Sequence, residues 1–427
     1  MLCDSAGCTA CASCVSACPK DCVRLAPDPL GHMQPAVDES ECVHCGLCER
    51  ACPVLRPPKK EAPVFPEVYC AKSRDDDVVR RSASGGVATE ITKYFVEKGG
   101  YACGVKNGAD FVPRFVLLDE GSDCGQISGS RYVHSRADGI YPKVKECLKK
   151  GRDVFFCGLP CQVAALYAFL GKAYDTLFTA DIVCHGCSEE DVYRDYLEYV
   201  QKEHGDEIVR IEHTSKDRGW SVLIQKLLKI EFKSGKILYR WSQQDPYLSL
   251  FLDGSIFMPC CYDCRFARFP RTGDLTLGDF FGIGTMRRIK GLDRSGVSMV
   301  MVNTPKGYEL FHALSPRLQA EKRDIWEAVY FNHNLWKPSG KSAVREDLEQ
   351  DLRRPDWARI ARTYYDSASG KLQRKIRRII KSTIGNRNTA RLMLLTYKLN
   401  GTTAKADRVL EKLQNDVGRS AEPENTP

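Results

Sequence analysis

Two runs of cysteine near the start of the chain decide how its first domain folds. The first run reads Cys8-Thr-Ala-Cys11-Ala-Ser-Cys14-Val-Ser-Ala-Cys18-Pro19, and the second reads Cys42-Val-His-Cys45-Gly-Leu-Cys48-Glu-Arg-Ala-Cys52-Pro53. Each has the spacing C-x2-C-x2-C-x3-C-P, and its recurrence indicates an internal duplication. Three thiolates two residues apart reach one corner of a cube from a tight loop, and the proline ends that loop.

This spacing is that of bacterial ferredoxins with two [4Fe–4S] clusters, in which the fourth cysteine of each run ligates the other cluster. The pattern assigns one cluster to Cys8, Cys11, Cys14 and Cys52, and the other to Cys42, Cys45, Cys48 and Cys18. Structural zinc is the alternative, but zinc sites usually combine two separated C-x2-C pairs. Cys3 and Cys22 lie outside the pattern and are interpreted as buried thiols. We expect a ferredoxin domain over residues 1–57 and a proline-rich linker over 58–66.

The remaining composition is typical of a cytoplasmic protein. The chain has 427 residues and a formal charge of +8. It has no apolar run long enough to cross a membrane and no secretory signal at its start. Of its 21 cysteines, ten lie in the first 52 residues and none follows Cys264. Because disulfides are rare in the cytoplasm, such grouping favours metal binding or redox chemistry. No nucleic-acid-binding module accompanies the charge, so we expect no nucleic-acid partner.

The segment after the linker alternates helical and strand patterns. Apolar residues recur at helical spacing from Val87 to Phe95, and Ser82 or Ser84 can cap the start of this helix. The pair Gly85-Gly86 there suits close approach of a ligand such as phosphate, although a capped helix without a ligand is the simpler interpretation.

The predicted strands and helices that follow lead to Cys161 at the start of a helix. Strand-like stretches at 101–105 and 112–118 flank the turn Asn107-Gly108, and a helix is predicted over Ile140–Lys149 before a buried strand at 154–156. The next helix carries Cys161 in its first turn, where the helix dipole favours a thiolate.

Six short motifs follow one another in this region: Ser84-Gly85-Gly86, Gly129-Ser130-Arg131-Tyr132, Gly158-Leu159-Pro160-Cys161-Gln162, Cys184-His185-Gly186, Cys261-x2-Cys264 and Gly273-Asp274-Leu275-Thr276-Leu277-Gly278-Asp279. In this order they resemble the beta subunit of deazaflavin-coenzyme-reducing hydrogenases and dehydrogenases, over about residues 65–335. That family also includes 7-hydroxymethyl chlorophyll a reductase and the flavin domain of a deazaflavin-dependent sulfite reductase. Many of its members carry the same ferredoxin extension.

The resemblance implies a bound FAD beside a third [4Fe–4S] cluster. The cysteines at the family's recurring positions, which the resemblance makes the cluster ligands, are Cys161, Cys184, Cys261 and Cys264. Cys157, Cys187 and Cys260 are then non-ligands. Zinc held by Cys261, Cys264 and two others is the alternative. For the flavin we expect contacts at Ser84, Gly85, Gly86, Ser130, Tyr132, Gly158, Pro160 and Gln162. Gly278-Asp279 is interpreted as a structural turn and His185 as a packed or hydrogen-bonded side chain, so no acid–base residue is assigned.

The C-terminal part is predicted to be helical and basic. An amphipathic helix over 371–381 combines Leu372, Ile376 and Ile380 with arginines and lysines. Such a helix suits a membrane surface, an acidic partner or packing on its own domain. Residues 418–427 lack apolar side chains, and we expect them to be disordered.

These features predict an α+β protein. Its parts are the ferredoxin domain, a mixed α/β flavin and iron–sulfur domain over 67–338, a basic helical extension over 339–417 and the tail. The predicted function is an iron–sulfur flavoprotein oxidoreductase that links ferredoxin, or another redox protein, to a small organic substrate. A non-catalytic electron-transfer subunit serving a partner enzyme is the alternative, and a zinc-stapled scaffold is the weakest interpretation.

Overall fold

The structure, a computed structural model, describes residues 2–28, 31–58, 64–220, 226–284, 289, 295–353, 355–366 and 392–421. The predicted amphipathic helix over 371–381 lies outside these residues, as do residues 59–63 of the predicted linker and 422–427 of the predicted tail. The described part is an α+β fold, as expected, with one hairpin and two larger sheets. No helix in the described ranges is both long and apolar enough to span a membrane.

The first domain follows the duplication in the sequence. Helix α1 (Ser13–Ala17) begins inside the first cysteine run and helix α2 (Leu47–Arg50) inside the second. Between them, strands β1 (Val23–Pro27) and β2 (Met33–Val37) pair as an antiparallel hairpin. The short helices place the third cysteine of each run in a first turn, directly after a tight loop.

Eleven further strands are described in chain order: β3 (Glu67–Ser73), β4 (Tyr101–Asn107), β5 (Pro113–Leu118), β6 (Val154–Gly158), β7 (Leu177–Ile182), β8 (Ile208–Glu212), β9 (Leu227–Phe232), β10 (Ile237–Trp241), β11 (Leu275–Asp279), β12 (Ser298–Val302) and β13 (Leu318–Arg323). Strands β10, β9 and β8 form an antiparallel sheet in that order. The other eight form one sheet in the order β13-β3-β12-β11-β7-β6-β4-β5. Its central strands β4, β6, β7 and β11 are parallel, so their carboxyl ends share one edge.

The larger helices cover this sheet and join the sheets. In chain order they are α3 (Asp76–Arg81), α4 (Val87–Glu97), α5 (Ile140–Lys149), α6 (Pro160–Leu170), α7 (Glu190–His204), α8 (Pro246–Leu252), α9 (Pro259–Tyr262), α10 (Pro305–Ala313), α11 (Ile325–Val329), α12 (Arg345–Leu352), α13 (Trp357–Ile360) and α14 (Thr402–Ala421). The predicted helix over Ile140–Lys149 is confirmed.

Both faces of the eight-stranded sheet are buried, as is usual where parallel strands form its centre. Along β6, Phe155 packs into the core beneath α4 and α10, while Val154 and Phe156 pack into the core beneath α5 and α6. This alternation follows the two-residue period of a strand. It confirms that the predicted apolar stretch at 154–156 is a buried strand.

Two local expectations differ from the structure. The N-cap of α4 is Gly86 in a left-handed conformation (φ +86°), and neither Ser82 nor Ser84 caps it, because the additional helix α3 ends at Ser82. At the other end of the chain, α14 continues to Ala421 and so includes residues 418–421 of the predicted disordered tail. Ala406, Leu410 and Leu413 anchor this helix in the core around Phe280, and its last turn extends beyond that anchor.

Candidate functional site

The two cysteine runs share an unusual backbone. Ala10 and Ala12 in the first run have φ values of +48° and +60°, and His44 and Gly46 occupy the equivalent positions of the second with +52° and +69°. Three of these four residues are not glycine, and a left-handed conformation costs each of them about 1–2 kcal/mol. The strain recurs at matching places because each loop wraps its cysteines around one centre. At Ala10 the amide N–H donates to the Cys8 sulfur at 3.4 Å, a contact that favours a thiolate ligand.

The two predicted ligand sets differ in their exposure. All four cysteines of the first set, Cys8, Cys11, Cys14 and Cys52, are buried. In the second set Cys45 is exposed, and Cys18, Cys42 and Cys48 are half-buried. Burial, with the neighbouring thiols Cys11 and Cys52, raises the pKa of Cys14 to about 12, in line with the predicted crossing of Cys52 to the first set.

The other four predicted ligands line a single cavity of about 260 Å³. Cys161 enters it from the first turn of α6, Cys184 from the segment after β7, and Cys261 and Cys264 from α9 and the turn that follows it. Because Cys184 follows a parallel strand, the cavity lies at the carboxyl edge of the large sheet, where ligands usually bind in such folds.

The spacing of these sulfur atoms is wider than a closed tetrahedral zinc site requires. Tetrahedral zinc, with Zn–S bonds of about 2.3 Å, places its four sulfurs about 3.8 Å apart. Among the described cysteines, no three sulfur atoms lie within 4.8 Å of one another. The thiols instead surround an open volume, as a group bulkier than one ion requires. The two ligand sets of the ferredoxin domain, which are described in full, likewise contain no three sulfur atoms within 4.8 Å of one another.

Two cysteines that we had set aside as non-ligands also line this cavity. Cys187 lies within hydrogen-bonding reach of Cys184, and Cys260 lies beside Cys261. Cys157, by contrast, packs into the core beneath α4 and does not line the cavity. Cys157 is therefore separate from the predicted ligands, whereas Cys187 and Cys260 lie among them.

Burial of Cys161 outweighs the expected effect of the α6 dipole on the pKa of its thiol. Burial, followed by the nearby thiols Cys184 and Cys264, raises the pKa of Cys161 well above the usual value of a thiol. The positive end of a helix stabilises a thiolate only weakly in comparison with such desolvation. Cys161 is therefore suited to ligation, where a metal offsets the thiolate charge, rather than to free nucleophilic attack.

The ferredoxin domain packs directly against this cavity. Thr9 and Val54, from the segments that carry the first ligand set, line the cavity together with Cys161 and Cys184. Helix α1 also contacts α6. The first ligand set and the cavity are thus neighbours, which the sequence did not reveal because residues 9 and 161 are far apart in the chain.

The first group of predicted flavin contacts, Ser84–Gly86, is used by the protein itself. A Cβ atom on Gly85 would lie 2.3 Å from the carbonyl oxygen of Ala71 in β3, so this glycine permits close packing of the turn on the sheet. Its amide donates to Ser298 Oγ at 2.9 Å, and Ser84 Oγ donates to the carbonyl of Val297 at 2.6 Å. A bound ligand is therefore not needed to explain these glycines.

The other predicted flavin contacts lie in different environments. Gln162 is fully buried, and its side chain accepts from the Leu159 amide at 3.0 Å while donating to the carbonyl of Ser135 at 3.0 Å. Gln162, in the first turn of α6, thus bonds back to the amide of the N-cap residue Leu159, whereas Pro160 lines the cysteine cavity. Gly158 ends β6, and Ser130 and Tyr132 lie in the loop that precedes α5.

A buried ion pair near Tyr132 was missed by the sequence analysis. Lys226 Nζ contacts Asp279 Oδ2 at the end of β11, and both side chains are largely buried. The nearby Asp279 carboxylate raises the pKa of Lys226 despite the opposing effect of burial, and Lys226 also lies over the Phe281 ring. No local sequence pattern identifies Lys226 as part of a buried ion pair, because its partner is 53 residues away. The predicted turn at Gly278-Asp279 is wrong, because both residues pair with β12 as the last residues of β11, and Asp279 is the anion of this pair.

His185 is exposed and lines the cysteine cavity, so it is not packed in a core, but both of its ring nitrogens have an oxygen atom within hydrogen-bonding distance. Nδ1 lies 3.0 Å from Asn334 Oδ1, and Nε2 lies 3.1 Å from the carbonyl oxygen of Leu252. The early part of the Gly273–Asp279 motif is also structural, since the Asp181 carboxylate accepts from the amide of Gly273 and pairs with the buried Arg271 at 2.9 Å.

The fold and the duplicated cysteine run together define an iron–sulfur electron-transfer protein. The chain belongs to the coenzyme F420 hydrogenase/dehydrogenase beta-subunit family: the model of the family's N-terminal region matches residues 68–139, and that of its C-terminal region matches residues 151–327. A 4Fe–4S dicluster domain matches residues 7–55.

Among solved structures, the chain is similar to a chain of the F420-reducing [NiFe] hydrogenase complex from Methanosarcina barkeri, which was studied by xenon derivatisation. The identity is 18% and the TM-score is 0.42, with 71% of this chain and 92% of that chain covered. No curated protein matches the sequence significantly.

Proposed function

We propose that this protein is an iron–sulfur flavoprotein oxidoreductase. It links a one-electron carrier such as ferredoxin to a hydride-accepting organic molecule, for example a deazaflavin-type coenzyme. Iron–sulfur clusters supply one-electron transfer, and a flavin connects single electrons to hydride chemistry. The protein's own part is to hold these groups in sequence, to exclude water between them and to present one end to its partner.

The observation that carries this proposal is the order of the three cysteine sets. The set with the exposed Cys45 is at the surface, the set with the buried Cys11 lies inside, and the cavity of Cys161 adjoins the latter. Tyr141 is fully buried and donates from its hydroxyl to the carbonyl of Cys11 at 2.9 Å, so the ferredoxin domain is fixed at this junction.

The surface around Cys45 suits a protein partner. Val43 and Leu47 flank this cysteine in the sequence and are 56% and 38% exposed. Exposed apolar side chains around a redox centre give a small patch that an electron carrier can cover. We therefore place the contact with ferredoxin, or another redox protein, at this end.

The flavin is proposed to lie along the carboxyl edge of the large sheet. Gly158 and Pro160 stand at the end of β6, while Ser84–Gly86 pack on β12 three strands further along. Three strand spacings amount to about 14 Å, a length that an extended dinucleotide spans. Tyr132, Lys226 and Asp279 lie at the same edge and extend this set. In parallel sheets this edge is where cofactors usually bind.

The test is a cofactor analysis of the full chain purified without oxygen. Iron, acid-labile sulfide, zinc and released flavin are measured on one sample. About twelve irons and one FAD per chain are expected, since each cubane holds four irons. Eight irons without flavin would overturn the flavoenzyme and leave only the ferredoxin domain.

A second candidate is an electron-transfer subunit that has no turnover of its own. The observation that favours it is a stripe of exposed leucines, Leu392, Leu395 and Leu399, on the helical residues 392–399. Such a stripe is typical of a face that another subunit covers. Reduction of a deazaflavin coenzyme by the isolated chain, supplied with reduced ferredoxin, distinguishes the two. Coenzyme reduction by the isolated chain favours the enzyme. Coenzyme reduction that requires an added subunit favours the electron-transfer subunit.

A further inference from the structure

One residue of the ferredoxin domain reaches both the first ligand set and the cysteine cavity. Thr9 stands between Cys8 and Cys11 in the loop with left-handed residues, and it also lines the cavity that contains Cys161 and Cys184. Its side chain is 8% exposed, and its Oγ1 is buried without a hydrogen-bond partner. A buried hydroxyl without a partner is unfavourable, so its presence beside a cavity indicates a group that accepts a hydrogen bond from it.

His134 lies beside Thr9 in the same cavity wall. Burial lowers the pKa of the His134 ring to about 4, an effect that the nearby Thr9 carbonyl opposes, and the backbone amide of His134 donates to the carbonyl of Ser188 at 3.1 Å. Ser188 directly follows Cys187, which lines the same cavity. His134 Nε2 is a second buried atom without a partner, and His134 also lines the cavity. Thr9 and His134 therefore lie side by side in the cavity wall, where the ferredoxin domain meets the rest of the protein.

We propose that the Thr9 hydroxyl is a hydrogen-bond donor to the iron–sulfur group held by Cys161, Cys184, Cys261 and Cys264, and that it raises the reduction potential of this group. The inference rests on the proposed function, because it requires a cluster in the cavity. A sulfide or thiolate sulfur is the acceptor that such a site offers to a hydroxyl. A donor stabilises the reduced cluster, which carries one more negative charge, over the oxidised one. Thr9 thereby couples the potential of the third cluster to the docking of the ferredoxin domain.

The variant Thr9→Val removes the hydroxyl while keeping the size and branching of the side chain, and Thr9→Ser keeps the hydroxyl. Ser16→Ala is the matched control, because Ser16 Oγ is another buried hydroxyl without a partner in the same domain but does not line the cavity. The readout is a redox titration of each full-length protein followed by electron paramagnetic resonance. The third cluster is identified as the component that is absent from the variant Cys161→Ser.

We expect Thr9→Val to shift the potential of the third cluster to a more negative value, with iron content unchanged. Thr9→Ser and Ser16→Ala should leave this potential at the value of the unmodified protein. An unshifted third cluster in Thr9→Val, or a shift confined to the ferredoxin clusters, contradicts the inference. If the unmodified protein contains only eight irons, the proposed third cluster itself is wrong, a failure that the iron analysis separates from the first.

Discussion

The hydroxyl of Tyr141 donates a hydrogen bond of 2.9 Å to the carbonyl oxygen of Cys11, joining helix α5 to a cluster loop of the ferredoxin domain. Tyr141 has no exposed surface, and its ring packs near Phe156 and Phe169. The contact holds a ligand loop against the neighbouring cavity. Its removal should therefore act on stability and on the junction between the domains.

We predict that Tyr141→Phe destabilises the protein by about 1–3 kcal/mol, because the buried Cys11 carbonyl loses its hydrogen-bond partner. The measurement is thermal unfolding under anaerobic conditions. Tyr308→Phe is the control, since Tyr308 is 46% exposed and its change should leave the unfolding temperature nearly unaltered. Equal unfolding temperatures for Tyr141→Phe and the unmodified protein would argue that this bond contributes nothing.

Cys157 and Cys161 lie at the two ends of one turn, but only Cys161 lines the cavity. Cys161→Ser should lower the iron content from about twelve to about eight per chain, because one of four ligands is lost and each cubane holds four irons. Cys157→Ser should retain all the iron, since Cys157 packs into the core instead of lining the cavity. Iron and sulfide analysis of anaerobic samples checks both. Equal losses in the two variants would show that the assignment of this turn is wrong.

The proposed contact with a redox partner can be tested at the exposed end of the ferredoxin domain. Val43→Glu and Leu47→Glu together should slow electron transfer from reduced ferredoxin roughly tenfold, a change of about 1.4 kcal/mol, because a partner must then desolvate two charges. Stopped-flow absorbance measures the rate. Val209→Glu is the control, since Val209 is 51% exposed on β8 of another domain. Unchanged rates with normal iron content would exclude this surface as the contact.

The stability of the protein should fall on mild acidification because of a buried histidine. Burial, followed by the positive charge of Arg131, lowers the pKa of His213 to about 3, and its Nε2 lies 3.2 Å from the Tyr193 hydroxyl. In the unfolded chain the imidazole titrates near 6.5. Below that pH the unfolded chain binds a proton that the folded protein does not, so the contribution is full above pH 6.5 and is lost as the pH falls toward 3.

The loss amounts to about 1.4 kcal/mol for each pH unit below 6.5. His213→Gln should therefore show a smaller decrease of unfolding temperature between pH 7.5 and 5.5 than the unmodified protein, even if it starts from a lower value. His312→Gln, which changes an exposed histidine, should keep the original pH dependence. An identical decrease in His213→Gln and the unmodified protein would count against this account.

Much of the fold was predictable because its signals are local. The duplicated cysteine run, the helix over Ile140–Lys149 and the buried strand at Phe155 each depend on residues close together in the sequence, and the structure places them as expected. The order of the six motifs also sufficed to indicate the family. The predicted cap of α4 was wrong because Ser82 is instead the C-cap of the preceding helix α3, which a local pattern for a single helix does not reveal.

By itself, the sequence determined the duplicated cysteine run of the ferredoxin domain, because ligand spacing within a loop is a property of the chain over a few residues. Only the tertiary structure decided that the cavity of Cys161 adjoins the loop of Cys11, that Thr9 and His134 enter its wall, and that Lys226 meets Asp279. These relationships join segments that are brought together only by the packing of the sheet and of the two domains. Their physical cause is the burial of surfaces that are distant in the sequence, which no spacing rule encodes.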